Sequence, residues 1–264
     1  MTATFTVDRP IVDPGQVLDT PVMVVDEAIL HQNIAEMQAF AKSVGVNLRP
    51  HIKTHKTPQI ARLQLQAGAI GVTCAKLGEA EVMAHEAGVK DILIAYPQVG
   101  QPKLDRLLKL MDHAHMTIAV DTLAAAEGLS QAVTAVGRTL DLYLEVNTGQ
   151  DRAGARAGEE AIALGAQIAR LPGVRIVGVM THEGHAGASE PDVIASKARA
   201  AGQALVETAE ALRAVGIPVT TVSVGSTPSS PYTPTIPGVT EMRPGTYVFN
   251  DNTGFRHGRM GPDR

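Results

Sequence analysis

The chain has no tryptophan, four tyrosines and four phenylalanines in 264 residues. So few aromatic faces leave little for single-stranded nucleic acid to stack on. The net charge of −4 removes the basic field that any nucleic-acid surface needs. One cysteine, Cys74, excludes an internal disulfide and suits a reducing compartment. No apolar run approaches the ~18 residues that span a bilayer. The N-terminus, MTATFTVDRPIVDPG, puts charges and prolines where a signal peptide carries an apolar stretch. A cytoplasmic protein without nucleic-acid or membrane partners is the expectation. Hydrophobic residues at 44 % and charged ones at 19 % are an ordinary globular mixture.

What is present is a repeat of short apolar segments and amphipathic ones. The stretch VNLRPHIKTHK (46–56) alternates Val46, Leu48, Pro50 and Ile52 with Asn47, Arg49, His51 and Lys53. That period of two predicts a strand over 46–52, with Arg49, His51 and Lys53 on a face turned to a polar cavity. Further strands are expected at 69–75, 91–96, 116–121, 140–147, 174–184, 219–225 and 241–249. Helices are expected after Asp26, from Pro58, from about Gly78, over 101–112, to about Val136, from about Arg156 to Ala169, and over 190–215. Strands alternating with helices mean a parallel sheet, and eight strands in about 200 residues is the arithmetic of a (β/α)8 barrel. An open doubly wound sheet competes, but Lys53–Pro58 lacks the glycine-rich turn that opens its first helix. VMVV (22–25) reads as a ninth strand outside the barrel. Residues 1–20 read as an irregular arm, 21–251 as the barrel and 252–264 as a polar tail, in which His257 reads as solvated.

Barrel enzymes carry their chemistry at the strands' C-terminal ends. Those ends here hold His51 and Lys53, Tyr96, Asp121, Glu145, His182 and Glu183, Gly225-Ser226-Thr227, and Arg243 with Gly245-Thr246. The loops after strands seven and eight are a common phosphate site, with glycine exposing backbone N–H groups and hydroxyls adding donors. A lysine facing a phosphate site across the mouth suggests a Schiff base. Desolvation and a neighbouring cation, which Arg49 and His51 would supply, lower its pKa toward neutrality. A sugar phosphate and pyridoxal phosphate both fit as the carbonyl partner. Cys74, in an apolar strand, reads as an inert buried thiol. His113 and His115 read as solvated loop residues, and Asp151 as either a surface partner of Arg152 or an orienting carboxylate.

RPHIKTHKTPQIARLQ, GVTCAKLGEAEVM, EVNTGQDRAG, GVMTHEGHAG, SVGSTPS and EMRPGTYVFND, in this order, resemble the D-threonine aldolase and D-serine dehydratase group. Its members share the barrel of the alanine-racemase type. The resemblance runs from about Leu18 to Asp251 and implies a pyridoxal-phosphate enzyme acting on a small D-amino acid. By it, Lys53 bonds the cofactor and is the base, with His51 beside it in the catalytic set. Arg152 meets the cofactor's phenolate oxygen, His182 lines its pocket, and Arg243 lies near its ring nitrogen. Gly225, Ser226, Thr227, Gly245 and Thr246 hold its phosphate. Retro-aldol cleavage of a D-3-hydroxy amino acid is the expected reaction. D-serine dehydration, racemisation, or cofactor binding without the family's catalysis are the alternatives. The group continues into a β-rich C-terminal domain bearing divalent-metal ligands. Nothing in NTGFRHGRMGPDR corresponds to it, so no metal ligand is expected in this chain. The dimeric habit of the group leaves a homodimer open.

Overall fold

The computed structural model describes residue 19 and residues 21–22, 24–187 and 191–249. The arm, apart from Asp19, and the tail with His257 lie outside the described residues. Eight parallel strands form the ring, in chain order β1 (Asn47–Leu48), β2 (Val72–Cys74), β3 (Asp91–Ile94), β4 (His115–Val120), β5 (Leu140–Asn147), β6 (Val174–Met180), β7 (Thr221–Val224) and β8 (Glu241–Met242), and a two-residue strand, Ala155–Arg156, pairs with β5 off the ring. Each ring strand pairs with its sequence neighbour, and β8 pairs with β1. The ring closes between β1 and β2 through the parallel bridge His51–Thr73, with Ile70 N–H donating to Leu48 O and Thr73 N–H to Pro50 O. This is a closed eight-stranded barrel.

Helices α1 (Glu27–Ser43), α2 (Pro58–Ala67), α3 (Leu77–Glu86), α4 (Gln101–Leu110), α5 (Leu123–Ala135), α6 (Glu159–Ile168) and α7 (Pro191–Ala214) surround the ring. Asp26 caps α1 by accepting from Ile29 N–H at 3.0 Å, and Pro58 opens α2. A single 3-10 turn (Thr233–Thr235) stands between β7 and β8. The helix preceding β1 takes the vacant side. Its Asn33 Nδ2 donates to Val248 O, beyond β8, at 3.1 Å.

Alternation along the strands sorts side chains into two shells. Ile92, Ile118, Leu142, Val179, Val222 and Met242 point outward into the main apolar core under the helices. Leu93, Ala119, Tyr143 and Met180 form a small apolar cluster inside the ring. The other interior positions are polar and buried: Arg49, Thr73, Ser223 and Glu241.

Three expectations differ from the structure. Val22, Val24 and Val25 form no strand and lie exposed at 49, 70 and 46 %. The strand read over 46–52 is a strand at Asn47–Leu48 only, followed by a 3-10 turn at Ile52–Thr54. Pro50 has no N–H for a ladder, and the chain bends where His51 Nδ1 accepts from Lys53 N–H at 3.4 Å. The segment read as a strand over 241–249 likewise keeps two strand residues before a 3-10 turn at Thr246–Val248.

Candidate active site

Two residues beyond the interior layer, each strand delivers one side chain or backbone corner to the barrel mouth. From β1 to β4 these are His51, Ala75, Ala95 and Asp121; from β5 to β8 they are Glu145, His182, Gly225 and Arg243. All line one cavity of about 1100 Å³. Its floor is therefore the next layer of the barrel, as strand periodicity dictates. Lys53, Thr54, Arg152, Ser226, Thr227, Gly245 and Thr246 complete its walls. His51, Lys53, Arg152, His182, Gly225, Ser226, Thr227, Arg243, Gly245 and Thr246 thus line one cavity, whereas Arg49 and Glu183 do not reach it.

Lys53 stands in the 3-10 turn after β1. Lys56, in the left-handed region at φ 51°, pins that turn by pairing its Nζ with Glu79. The second oxygen of Glu79 accepts from Ala75 N–H at 2.7 Å, which ties the turn to the end of β2. Gly245 packs against it from β8: a Cβ there would meet His51 O at 3.0 Å. A side chain there would crowd this approach.

Partial burial, then Arg152 and Arg243, lower the pKa of the Lys53 ammonium, with Glu79 opposing. The cations that act on Lys53 are therefore not the expected Arg49 and His51. Arg49 points to the opposite end of the barrel, where Nε donates to Glu241 at 2.7 Å and Nη1 to Asp91 at 2.6 Å. His51 is held neutral: burial, then Lys53, Arg243 and His182, drive its pKa well down. Its Nδ1 accepts, which assigns the ring proton to Nε2. Burial and the charges of Lys53, Arg152 and Arg243 bring His182 down to about 3.

Arg243 is buried. Nη2 donates to Thr181 O at 2.6 Å and Nη1 to Ser223 Oγ, which in turn donates to Glu241. Burial lowers its pKa while Glu241, Glu183 and Glu145 oppose. Glu145 is pushed up by its own burial, with Arg243 and Arg152 pulling back.

The phosphate cradle departs from expectation in one respect. Gly225 N–H donates to Glu183 Oε2 at 3.1 Å and Gly245 N–H to Thr227 Oγ1 at 3.1 Å. Neither glycine amide faces the cavity. Gly225 is needed for closeness instead, since a Cβ would sit 2.9 Å from that of Arg243. The N–H of Ser226 and the hydroxyl of Thr246 carry no hydrogen bond among the described residues. They are the donors this corner offers an anion.

Several functional groups escaped sequence reasoning in role, though not in position. Glu79, Glu183, Ser223 and Glu241 act through partners 18 to 192 residues away, which no local spacing reveals. His115 is not merely solvated: it pairs with Asp141 at 3.0 Å and lies 3.7 Å from Asp91. Asp151 accepts from Asn147 Nδ2 at 2.9 Å, shaping the loop that presents Arg152. Cys74 is buried and its thiol pKa is raised by burial, as an inert thiol requires. Among the described residues no three His, Cys, Asp or Glu side chains group to hold a metal ion. No described helix is long and apolar enough to cross a membrane.

A closed parallel barrel gathers a lysine, two arginines and the Ser226–Thr246 corner at one mouth. The chain belongs to the alanine racemase N-terminal domain family, whose model matches residues 25–253. It is 37 % identical over 237 residues to a D-threo-3-hydroxyaspartate dehydratase of Delftia sp. (strain HT23), covering 89 % of this chain and 62 % of that one. It is 36 % identical over 242 residues to a D-threonine aldolase of Arthrobacter sp., covering 90 % and 63 %. The crystal structure of a D-threonine aldolase from Filomicrobium marinum superposes with a TM-score of 0.87 at 37 % identity, covering 93 % of this chain and 66 % of that one. The chain thus spans 62–63 % of the length of these two curated relatives.

Proposed function

We propose that this chain binds pyridoxal phosphate through Lys53 and cleaves D-3-hydroxy amino acids to glycine and an aldehyde. The observation that carries this is the single cavity in which Lys53, Arg152, Arg243 and the Ser226–Thr246 corner converge. The donor set fits the cofactor. A lysine of lowered pKa suits its aldehyde carbon, and a free N–H and hydroxyl suit its phosphate. Arg152 suits its phenolate oxygen, and Arg243 its ring nitrogen.

When bound, pyridoxal phosphate supplies an electron sink for the bond broken at the substrate's α-carbon. The chain's own residues hold and move protons around it. Lys53 Nζ would be the base on its face of the cavity, and partial burial with Arg152 and Arg243 lowers its pKa from the ordinary lysine value, which favours that role. His51 and His182 stay neutral, so they shape the pocket without adding charge. Arg152 and Arg243 supply the fixed positive charge that an anionic substrate and an anionic cofactor require. Loss of a hydroxyl proton leads to aldol cleavage, whereas loss of the α-proton with expulsion of the hydroxyl leads to dehydration. The likeness to the Delftia dehydratase keeps dehydration as the second reading.

The test is turnover by protein supplied with pyridoxal phosphate and Mn²⁺, using D-threonine, D-serine and D-threo-3-hydroxyaspartate. Glycine and acetaldehyde from D-threonine, with L-threonine untouched, is the expected result. A keto acid and ammonia without glycine would replace cleavage by dehydration. Cofactor uptake with no product would leave a cofactor-holding barrel.

A further inference from the structure

One buried carboxylate has no part in the chemistry above. Glu183 is fully inaccessible and follows the cavity residue His182 just beyond the end of β6. Enclosing a carboxylate is costly unless its oxygens are fully occupied. Both are occupied, and both partners lie in one loop: Oε2 takes Gly225 N–H at 3.1 Å, and Oε1 takes Ser229 Oγ–H at 3.0 Å. That loop is the one that presents Ser226 to the cavity.

The hydroxyl protons follow from this. Both oxygens of Glu183 accept, as those of a carboxylate do. Ser229 has one hydroxyl proton, within reach of both Glu183 Oε1 and Ser226 O at 3.2 Å. The charged acceptor takes it, because charge-assisted hydrogen bonds are the stronger ones. Ser229 Oγ, 2.7 Å from Ser226 Oγ, is then the acceptor of that pair, and Ser226 Oγ–H is the donor. Ser226 Oγ also accepts from Ser229 N–H at 3.3 Å. The Ser226 hydroxyl proton is thus turned inward, and the backbone N–H of Ser226 is left for the cavity.

We propose that Glu183 is the positioning residue of the anion-binding loop Gly225–Ser229. It fixes the loop's shape and the direction of its hydroxyl protons, so that a phosphate ester is met by the Ser226 N–H. This rests on the cofactor reading above. It assigns Glu183 no contact with substrate or cofactor.

The substitution Glu183→Ala releases both ends of the loop. Glu183→Gln keeps the loop's shape. Its oxygen still accepts from Gly225 N–H, its amide donates to Ser229 Oγ, and the Ser229 proton passes to Ser226, whose own hydroxyl proton becomes free for the cavity. The experiment compares the dissociation constants of pyridoxal phosphate and of pyridoxal, which lacks the phosphate. Binding is read by absorbance titration of the whole chain and its variants. The expected result is that Glu183→Ala binds pyridoxal phosphate about 10-fold or more weakly, the scale of one or two lost polar contacts, while pyridoxal binding stays put. Glu183→Gln should bind pyridoxal phosphate at least as tightly as the parent. Ser229→Ala, which cuts one of the two tethers and stays closer to the parent fold, should lose part of the phosphate-dependent affinity. Parallel loss of both ligands in Glu183→Ala, an equal loss in Glu183→Gln, or unchanged affinity for both ligands in Glu183→Ala and Ser229→Ala would overturn the proposal. A parent protein that takes up neither ligand overturns this proposal and the cofactor reading together; one that takes up both while the variants match it overturns this proposal alone.

Discussion

His115 shows how a single side chain at the base of the barrel is set by its neighbours. It opens β4 at the end away from the cavity, between the carboxylates of Asp141 and Asp91. Hydrogen bonding to Asp141 and then Asp91 raises its pKa from 6.5 to about 9, against some desolvation. Asp91 in turn is held at about 2 by His115 and Arg49, despite its burial. A raised histidine pKa means that the folded state favours the proton. The stabilisation is complete below pH 6.5 and disappears as the pH climbs through about 9. Toward acid it fails again once the two aspartates protonate. The substitution His115→Ala should therefore lower Tm most at mildly acidic pH, with the deficit closing by pH 9. A deficit independent of pH between 6 and 9 would contradict the assigned pairing. The aspartates were plain in the sequence as strand residues, but their meeting with His115 across three strands was not. Facing residues of neighbouring strands in the ring lie 18 or more residues apart in the chain, so local pattern says nothing of which charges face each other.

At the scale of the element, β8 is the clearest case of a short strand that carries more than its length suggests. Two residues, Glu241 and Met242, pair with β7 on one side and β1 on the other. Met242 points to the outer core. Glu241 points inward and joins Ser223 below Arg243 to Arg49 at the barrel's base. Burial works against the Arg49 charge, but Glu241 and Asp91 more than offset it, and its pKa is raised. Removing one partner of a buried pair leaves the other uncompensated, at about 3–5 kcal/mol. Glu241→Ala should lose stability on that scale in urea unfolding, and a change under about 1 kcal/mol would mean that Arg49 had found other partners. The same element explains why expectation and structure part at β1 and β8. Alternating apolar residues mark which face is inside, and they did so correctly for 46–52. They do not mark where a ladder stops, which Pro50, Pro244 and the two 3-10 turns decide. The valines at 22–25 mislead for a related reason. Their apolar, β-branched character satisfies a strand pattern, but among the described residues no strand pairs with them.

For the whole molecule, the order of the strands and the polar residues at their ends were legible in the sequence. Period-two runs spaced by helices leave few topologies, and in a parallel barrel each strand's last inward residue must meet the others at one mouth. Lys53, His182 and Arg243 could be nominated for that reason, whereas Arg152 was nominated only through the resemblance. The supporting contacts could not, because Glu79, Glu183 and Glu241 have meaning only through partners brought near by closure of the ring. The central claim is that this mouth holds pyridoxal phosphate on Lys53. An absorbance spectrum of the purified chain with added pyridoxal phosphate, beside that of Lys53→Ala at equal concentration, tests it most directly. A visible band in the parent, distinct from that of the free cofactor and lost in the variant, is the predicted result. Identical spectra from two folded proteins would contradict it.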